Sequence, residues 1–380
     1  MARVFIGLMS GTSVDAVDAV ALKLPQLPAA TNGPIAGSAG TTLAWSSLPI
    51  PAGLRTELRA LTRSGGDELE RAACAALELT EIYARAVTEV LAHGPFDAPV
   101  IAIGAHGQTV RHRPGAGFTI QLLDGALLAE RCGLPVVCDF RSGDIAAGGQ
   151  GAPLVPAFHR ELFGRTGQQY AVLNIGGISN LTFIRADGTL AAGFDTGPGN
   201  TLLDQWFQRH HGGPFDDGGR WGQAGKVLPA LLQACLREPY FELPAPKSTG
   251  TETFHADWLE QRIAESDSAR ADPADVQATL LELTAASIAA ALAANHGSDE
   301  VLVCGGGVHN RALLERLRSM CAPTPVVSTT QRGIDPQAIE AAAFAWLAAQ
   351  RIDARPVDLG GATGARGARV LGALYLAPPG

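Results

Sequence analysis

Short apolar runs separated by small and polar residues open the chain. Val4-Phe5-Ile6 and Ala19-Val20-Ala21-Leu22 flank the stretch Gly7-Leu8-Met9-Ser10-Gly11-Thr12-Ser13-Val14-Asp15-Ala16-Val17-Asp18. Two apolar runs joined by Gly, Ser and Thr predict strand, tight turn, strand. Leu43-Ala44-Trp45 adds a strand and 51–61 a short helix. Over 67–93 apolar side chains recur at helical spacing, through Leu69, Ala73, Tyr83, Val87 and Leu91. Asp67 is placed to cap that helix and Gly94-Pro95 to end it.

Val100-Ile101-Ala102-Ile103 predicts a buried strand that runs into a polar loop with His106, Gln108, Arg111 and His112. Ligands sit beyond such strand ends in open α/β sheets, although a plain surface turn reads the same way. Strands over 118–122 and 135–138 bracket a helix over 124–132, and Asp139-Phe140-Arg141 follows the second strand. The glycine-rich passage 145–156 reads as a hinge and sets a domain boundary.

The opening pattern then returns. Tyr170-Ala171-Val172-Leu173 and Leu181-Thr182-Phe183-Ile184 flank Asn174-Ile175-Gly176-Gly177-Ile178-Ser179-Asn180. A duplicated domain with two phosphate-type hairpins accounts for this. Asp195 follows, in the loop Gly193-Phe194-Asp195-Thr196-Gly197-Pro198-Gly199-Asn200 before a helix over 201–210. A carboxylate there can act as a general base or simply cap the turn. Asp272-Pro273 opens a further helix, with Asp as cap and Pro at the first position. The strand Val301-Leu302-Val303-Cys304 leads into Gly305-Gly306-Gly307-Val308-His309-Asn310 and another helix. Three glycines between strand and helix let a flat or phosphorylated ligand approach, so Gly305, Gly306, Gly307 and Asn310 read as the nucleoside side of a nucleotide site. A helix over 335–350 carries Glu340 in an Ala-rich run, and a strand ends the chain.

Composition narrows the function class. With 380 residues, 46% hydrophobic, the chain can fill two cores. A net charge of −8 argues against a broad nucleic-acid face, yet a few oriented N–H groups still suffice for a small anion. Its six cysteines show no C-x-x-C spacing and read as reduced thiols. No signal-peptide pattern is visible and no apolar run approaches about 18 residues, so a cytoplasmic protein without a membrane span is expected. There is no G-x-x-x-x-G-K-[ST], no G-x-G-x-x-G after a strand and no H-E-x-x-H. Any metal is expected to be Mg²⁺ accompanying a nucleotide.

Together the stretches Gly7–Asp15, Ala105-His106-Gly107-Gln108-Thr109, Asp139-Phe140-Arg141, Asn174–Asn180, Phe194–Asn200, Lys247-Ser248-Thr249-Gly250 and Cys304–Asn310 resemble the anhydro-N-acetylmuramic acid kinase family. Ala16 departs from the glycine usual there, tightening the turn without abolishing binding. The resemblance implies an α/β fold of two RNase-H-like, actin- or hexokinase-type domains with a nucleotide- and substrate-binding cleft between them. The expected domains are 1–145 with about 351–380, and 146–350.

The implied cofactors are ATP and Mg²⁺. The implied reaction opens the anhydro ring of 1,6-anhydro-N-acetylmuramic acid with water and phosphorylates O6, in cell-wall recycling. Asp195 maps onto the catalytic base. Gly11, Thr12, Ser13, Val14, Asp15, Ala16, Val17 and Asp18 would hold phosphates, with Asn174, Gly176 and Gly177 as their counterparts. Glu340 resembles a sugar contact, and His106, Gln108, Asp139 and Arg141 are further substrate candidates. The partners expected are the sugar and ATP, with a homodimer allowed. A conventional sugar kinase of the same fold, or an actin-like filament or chaperone ATPase, would be the rival readings.

Overall fold

The computed structural model describes residues 2–11, 13–25, 40–164, 167–250, 253–295 and 297–378. In chain order its strands are β1 (Ala2–Met9), β2 (Ala16–Pro25), β3 (Thr41–Pro49), β4 (Val100–Ala105), β5 (Gln108–Arg113), β6 (Phe118–Leu122), β7 (Val136–Cys138), β8 (Tyr170–Ile175), β9 (Ile178–Ile184), β10 (Leu190–Pro198), β11 (Glu300–Cys304), β12 (Val326–Ser328) and β13 (Ala373–Tyr375). They fall in two compact units, 1–165 with 338–380, and 166–337.

In the first unit the sheet order is β13-β7-β4-β1-β2-β3. β1, β2 and β3 form an antiparallel meander, and β4 and β7 add in parallel beyond β1. Parallel neighbours need a crossover. The Glu68–Ala92 helix supplies one between β3 and β4, and Gly125–Cys132 another before β7. The period-2 alternation of β1 divides its side chains. Val4, Ile6 and Leu8 join the core that holds Leu79, Tyr83 and Val87. On the opposite face lies the Ile339–Ile352 helix. A Cβ on Gly7 would sit 1.8 Å from Ala341 O, and one on Gly104 2.0 Å from Phe344 O. Gly7 and Gly104 are cross-strand partners, so together they make a trough for a helix backbone. The alanines of that helix, from Ala341 to Ala349, are buried, which explains its composition.

In the second unit the order is β10-β9-β8-β11-β12, again a three-strand antiparallel meander followed by two parallel strands. The Pro273–Ala294 and Arg311–Cys321 helices make the crossovers. By length and composition Pro273–Ala294 could cross a membrane, unlike anything expected from the sequence. As folded, its Leu280, Leu283 and Ile288 are buried with Leu173, Leu181 and Val303 in the second core. The duplication expected from the two turns is therefore present as a repeated sheet order.

Three expectations change. The domain boundary is not at 145 and 350, because 146–165 and 338–350 belong to the first unit. Hydrogen bonds tie down the glycine passage, and the Ala-rich helix is docked on Gly7 and Gly104. Residues 108–113 are strand β5, paired with β6, rather than loop. Asp67 stands at its helix start with a left-handed backbone, φ 53°, and makes no side-chain cap bond, whereas Asp124, Asp272 and Asn310 do cap theirs.

Candidate functional site

In the first unit the β1–β2 connection is cross-braced to the start of β5. His106 N donates to Leu8 O at 3.0 Å. The Ser10 hydroxyl donates to Gly107 O at 3.3 Å and lies 2.8 Å from the Tyr83 phenol oxygen. Gln108 Nε2 donates to Gly11 O at 3.2 Å, which also accepts from Val14 N at 3.1 Å. Tyr83 is fully buried, and burial pushes its phenol well above the usual range. Among the described residues a Cβ on Gly11 would meet only Ser13 Oγ, at 3.9 Å, so the turn is open to them there. Thr12 lies outside the described residues. Val14 has φ 57° although β-branched, a conformation costing about 1–3 kcal/mol. Its side chain is held in the first core. Ser13 O accepts from Arg59, and the exposed Asp15 carboxylate pairs with Arg55 and Arg59 at 3.4 and 3.7 Å. Ala16, Val17 and Asp18 are not in the turn. They begin β2, opposite Pro49, Leu48 and Ser47. Val17 is core, and burial raises the pKa of Asp18, offset in part by a Ser47 hydrogen bond.

His106 is buried, and its Nε2 accepts from Arg141 Nε at 3.0 Å and Nη2 at 2.8 Å. Two donors on Nε2 fix the imidazole proton on Nδ1. Burial, then the Arg141 charge, holds the His106 pKa well below the usual value, so the ring is neutral. Its centroid lies 4.8 Å from that of Phe344, on the helix whose first turn carries the half-buried Glu340. Arg141 also donates to Gly151 O at 2.8 Å. Asp139 is exposed with φ 53° and accepts from Ser142 Oγ at 2.5 Å. Ser10, Gly11, His106, Gln108 and Arg141 therefore form one bonded set, with Glu340 on the helix that packs against it.

In the second unit the β8–β9 turn is anchored differently. Gly199 N and Thr201 N donate to Gly177 O at 2.9 and 3.1 Å, and Asn200 N donates to Gly176 O at 2.8 Å. The start of the Thr201–His211 helix thus satisfies its N–H groups on the turn. Gly199 permits this, since a Cβ there would lie 2.3 Å from Gly176 O. Asp195 belongs to strand β10 rather than a loop, at a bulge opposite Asn180 and Ser179. Bulges re-aim side chains next to active sites. Asp195 is buried, and its Oδ2 accepts from Thr249 N at 3.0 Å. Its backbone is clamped by Asp195 N to Lys247 O at 3.1 Å and by Tyr240 Oη to Asp195 O at 2.7 Å. The Lys247 ammonium stands 4.7 Å from the Tyr240 ring centroid and donates to Tyr240 O and Phe241 O. Burial lowers the Lys247 pKa, while the negative charge of Asp195 raises it.

The three glycines after β11 have distinct reasons. Gly305 has φ 80°, and a Cβ would lie 2.3 Å from Asn174 Oδ1; one on Gly307 would lie 2.3 Å from Ile175 Cγ2. Both let this turn close on β8. Only Gly306 of the three is exposed with open space where a Cβ would stand. Asn174 Oδ1 accepts weakly from Cys304 Sγ at 3.8 Å, and Asn310 Oδ1 caps the next helix by accepting from Leu313 N. Sequence reading missed Tyr83, Tyr240 and Asp144. Tyr83 merges into an apolar helix stripe and Asp144 into a glycine-rich passage, so neither carried a local signal.

A repeated sheet order, an open glycine turn in one unit and a clamped buried carboxylate in the other define a duplicated α/β fold with a candidate anion-binding turn and a candidate base. The family model described as anhydro-N-acetylmuramic acid kinase matches residues 3–377. Proteins of that name from Bordetella petrii (52% identical over 377 residues, 98% of this chain and 96% of that one), Variovorax paradoxus (50% over 384 residues, 98% and 99%) and Pseudomonas putida (46% over 373 residues, 98% and 99%) are similar throughout. The chain belongs to the anhydro-N-acetylmuramic acid kinase family. Among solved structures, a ROK family glucokinase from Streptomyces griseus in complex with glucose and AMPPNP is similar at a TM-score of 0.41 and 15% identity, over 91% of this chain and 99% of that one. The family match does not favour the rival readings of a conventional sugar kinase or a filament or chaperone ATPase.

Proposed function

We propose that the chain is an ATP-dependent kinase that opens the ring of 1,6-anhydro-N-acetylmuramic acid and phosphorylates O6, giving N-acetylmuramic acid 6-phosphate and ADP. The observation that carries the site reading is the Asp195 carboxylate, buried on a bulged strand and clamped at both backbone and side chain. Asp195 takes a proton from water as the water oxygen bonds to the anomeric carbon, and the bond from that carbon to O6 breaks. O6 then bonds to the γ-phosphorus while the β–γ bridge opens and ADP leaves. Such transfer needs positioning and charge stabilisation more than covalent help.

The open turn at Gly11, with Ser13 and Asp15 beside it, is proposed to take ATP phosphates. Asn174, Gly176 and Gly177 are its counterpart, with Gly306 and its neighbours on the nucleoside. The neutral His106, Gln108 and Arg141, together with Asp139 and Glu340, are proposed for the sugar. Mg²⁺ would come with the nucleotide, held mainly by phosphate oxygens and water, and would neutralise phosphate charge. Among the described residues no group of three or more His, Cys, Asp or Glu is placed to hold a metal ion. The proposal includes a cytoplasmic location.

ADP release over a panel of sugars tests the reading. Turnover should require the anhydro sugar. Equal turnover of a free amino sugar would favour the conventional kinase, and sustained release without sugar would favour the ATPase.

A further inference from the structure

Asp144 is a buried carboxylate that the reaction above does not use. Its Oδ2 accepts from Gly151 N and its Oδ1 from Thr363 Oγ1, both at 2.7 Å. The glycine passage is wrapped around it. Gly149 N donates to Asp144 O at 2.9 Å, Gln150 N to Thr363 O at 2.8 Å and Arg366 N to Ala147 O at 3.0 Å. A Cβ on Gly149 would lie 2.2 Å from Asp144 Oδ2, and Gly151 has φ 70°, so the glycines allow the passage to close on the carboxylate. Gly151 O in turn accepts from Arg141 Nη1, and the same guanidinium holds His106 Nε2. A single chain of hydrogen bonds runs Thr363, Asp144, Gly151, Arg141, His106. A buried carboxylate is costly unless paired and bonded. Here both oxygens are bonded, and the Arg141 charge offsets part of the burial that raises the Asp144 pKa.

We infer that Asp144 is a positioning residue: by fixing Gly151 it sets the Gly151 carbonyl that aims Arg141, and through Arg141 it sets the tautomer and tilt of His106. This rests on the reading above, in which Arg141 and His106 meet the sugar.

The test uses the full chain and four variants, Arg141→Ala, Asp144→Ala, Asp144→Asn and Thr363→Val, with the double variant Asp144→Ala/Arg141→Ala. Sugar KM, ATP KM, kcat, Tm and the imidazole ¹⁵N signals of His106 are measured. Arg141→Ala should raise sugar KM about tenfold or more and Asp144→Ala about fivefold, with ATP KM within about twofold. The double variant should be no worse than Arg141→Ala alone, since the two act in one chain. Asp144→Asn can keep an oxygen on Gly151 N–H and turn its amide to Thr363 Oγ1, so it should recover most of the loss. Asp144→Ala should also shift the His106 Nε2 signal, and Thr363→Val should shift it by a smaller amount. If Asp144→Ala does not fold, Asp144→Asn and Thr363→Val carry the same comparison. A His106 signal unmoved by Asp144→Ala and by Thr363→Val, or additive KM effects, overturns the inference. An unmoved sugar KM in Arg141→Ala overturns the underlying sugar reading instead.

Discussion

The two hairpin turns share a sheet order but are held in different ways. In the first unit the turn is braced by side chains: Tyr83 and Ser10 from below, Gln108 on Gly11 O. In the second the turn carbonyls of Gly176 and Gly177 are occupied by the backbone of a helix start. The bracing leaves room around Gly11 in one turn and locks the other. The locked hairpin instead supports β10, where Asp195 stands at the bulge. Duplication of a fold thus need not duplicate a role. Both turns are proposed for the ATP phosphates, but only the second unit is proposed to carry the base.

The largest expected effect breaks this division directly. Asp195→Asn should lower turnover at least about a hundredfold while ATP affinity is kept. Calorimetric ATP binding and ADP release check it, and near-normal turnover would remove Asp195 from the base role.

Packing comes next. Gly104→Ala puts a Cβ 2.0 Å from Phe344 O and should destabilise by about 1–3 kcal/mol. Gly306→Ala meets nothing within 4 Å and should change stability by less than about 0.5 kcal/mol. Thermal melts of both variants sharpen the contrast between a glycine needed for packing and one left free for a ligand.

A third prediction concerns acid. Burial lowers the imidazole pKa of His112 to about 4 and of His159 to about 3, and His106 is also held low. All three lie in the first unit. The fold favours their neutral forms, whereas the unfolded chain takes up protons near 6.5. Their stabilisation is therefore complete above about pH 6.5 and is lost as pH falls towards 4 and then 3. Asp18 and Asp144, pushed up by burial, pull the other way. Native-state hydrogen exchange at pH 7 and 5 should show protection lost first in β1 and β4, and His159→Leu should flatten the slope. Equal loss in both sheets would contradict this.

The smallest kinetic effect is expected of Tyr83→Phe. Losing the phenol beside Ser10 should cost about 1 kcal/mol and raise ATP KM about twofold to threefold, with sugar KM unchanged.

Much of the fold was legible because local pattern and tertiary outcome agree. The strand-turn-strand motif at Gly7–Asp15 and its echo at Asn174–Asn180 predicted the repeated hairpin, though not the third strand that extends each one to a meander. What escaped was long-range. Glycines at 148, 149 and 151 look the same in a hinge as in a segment wrapped on a buried carboxylate, and only Thr363, far along the chain, distinguishes the two. The Ala-rich helix around Glu340 gave no sign of docking on Gly7 and Gly104, because close backbone approach has no sequence period. Asp195 was read as the key carboxylate, but its neighbours suggested a loop. The Gly and Pro there serve a bulge and a close contact, with a Gly197 Cβ placed 2.6 Å from Phe241.

The central claim is that water opens the ring and the freed O6 takes the phosphate. A single turnover with ATP and the anhydro sugar in ¹⁸O-labelled water, quenched before the free anomeric oxygen exchanges, tests it most directly. The account predicts a ring-opened 6-phosphate with the label on the anomeric hydroxyl. A phosphorylated product that keeps its anhydro ring, or a ring-opened product without label, would contradict it.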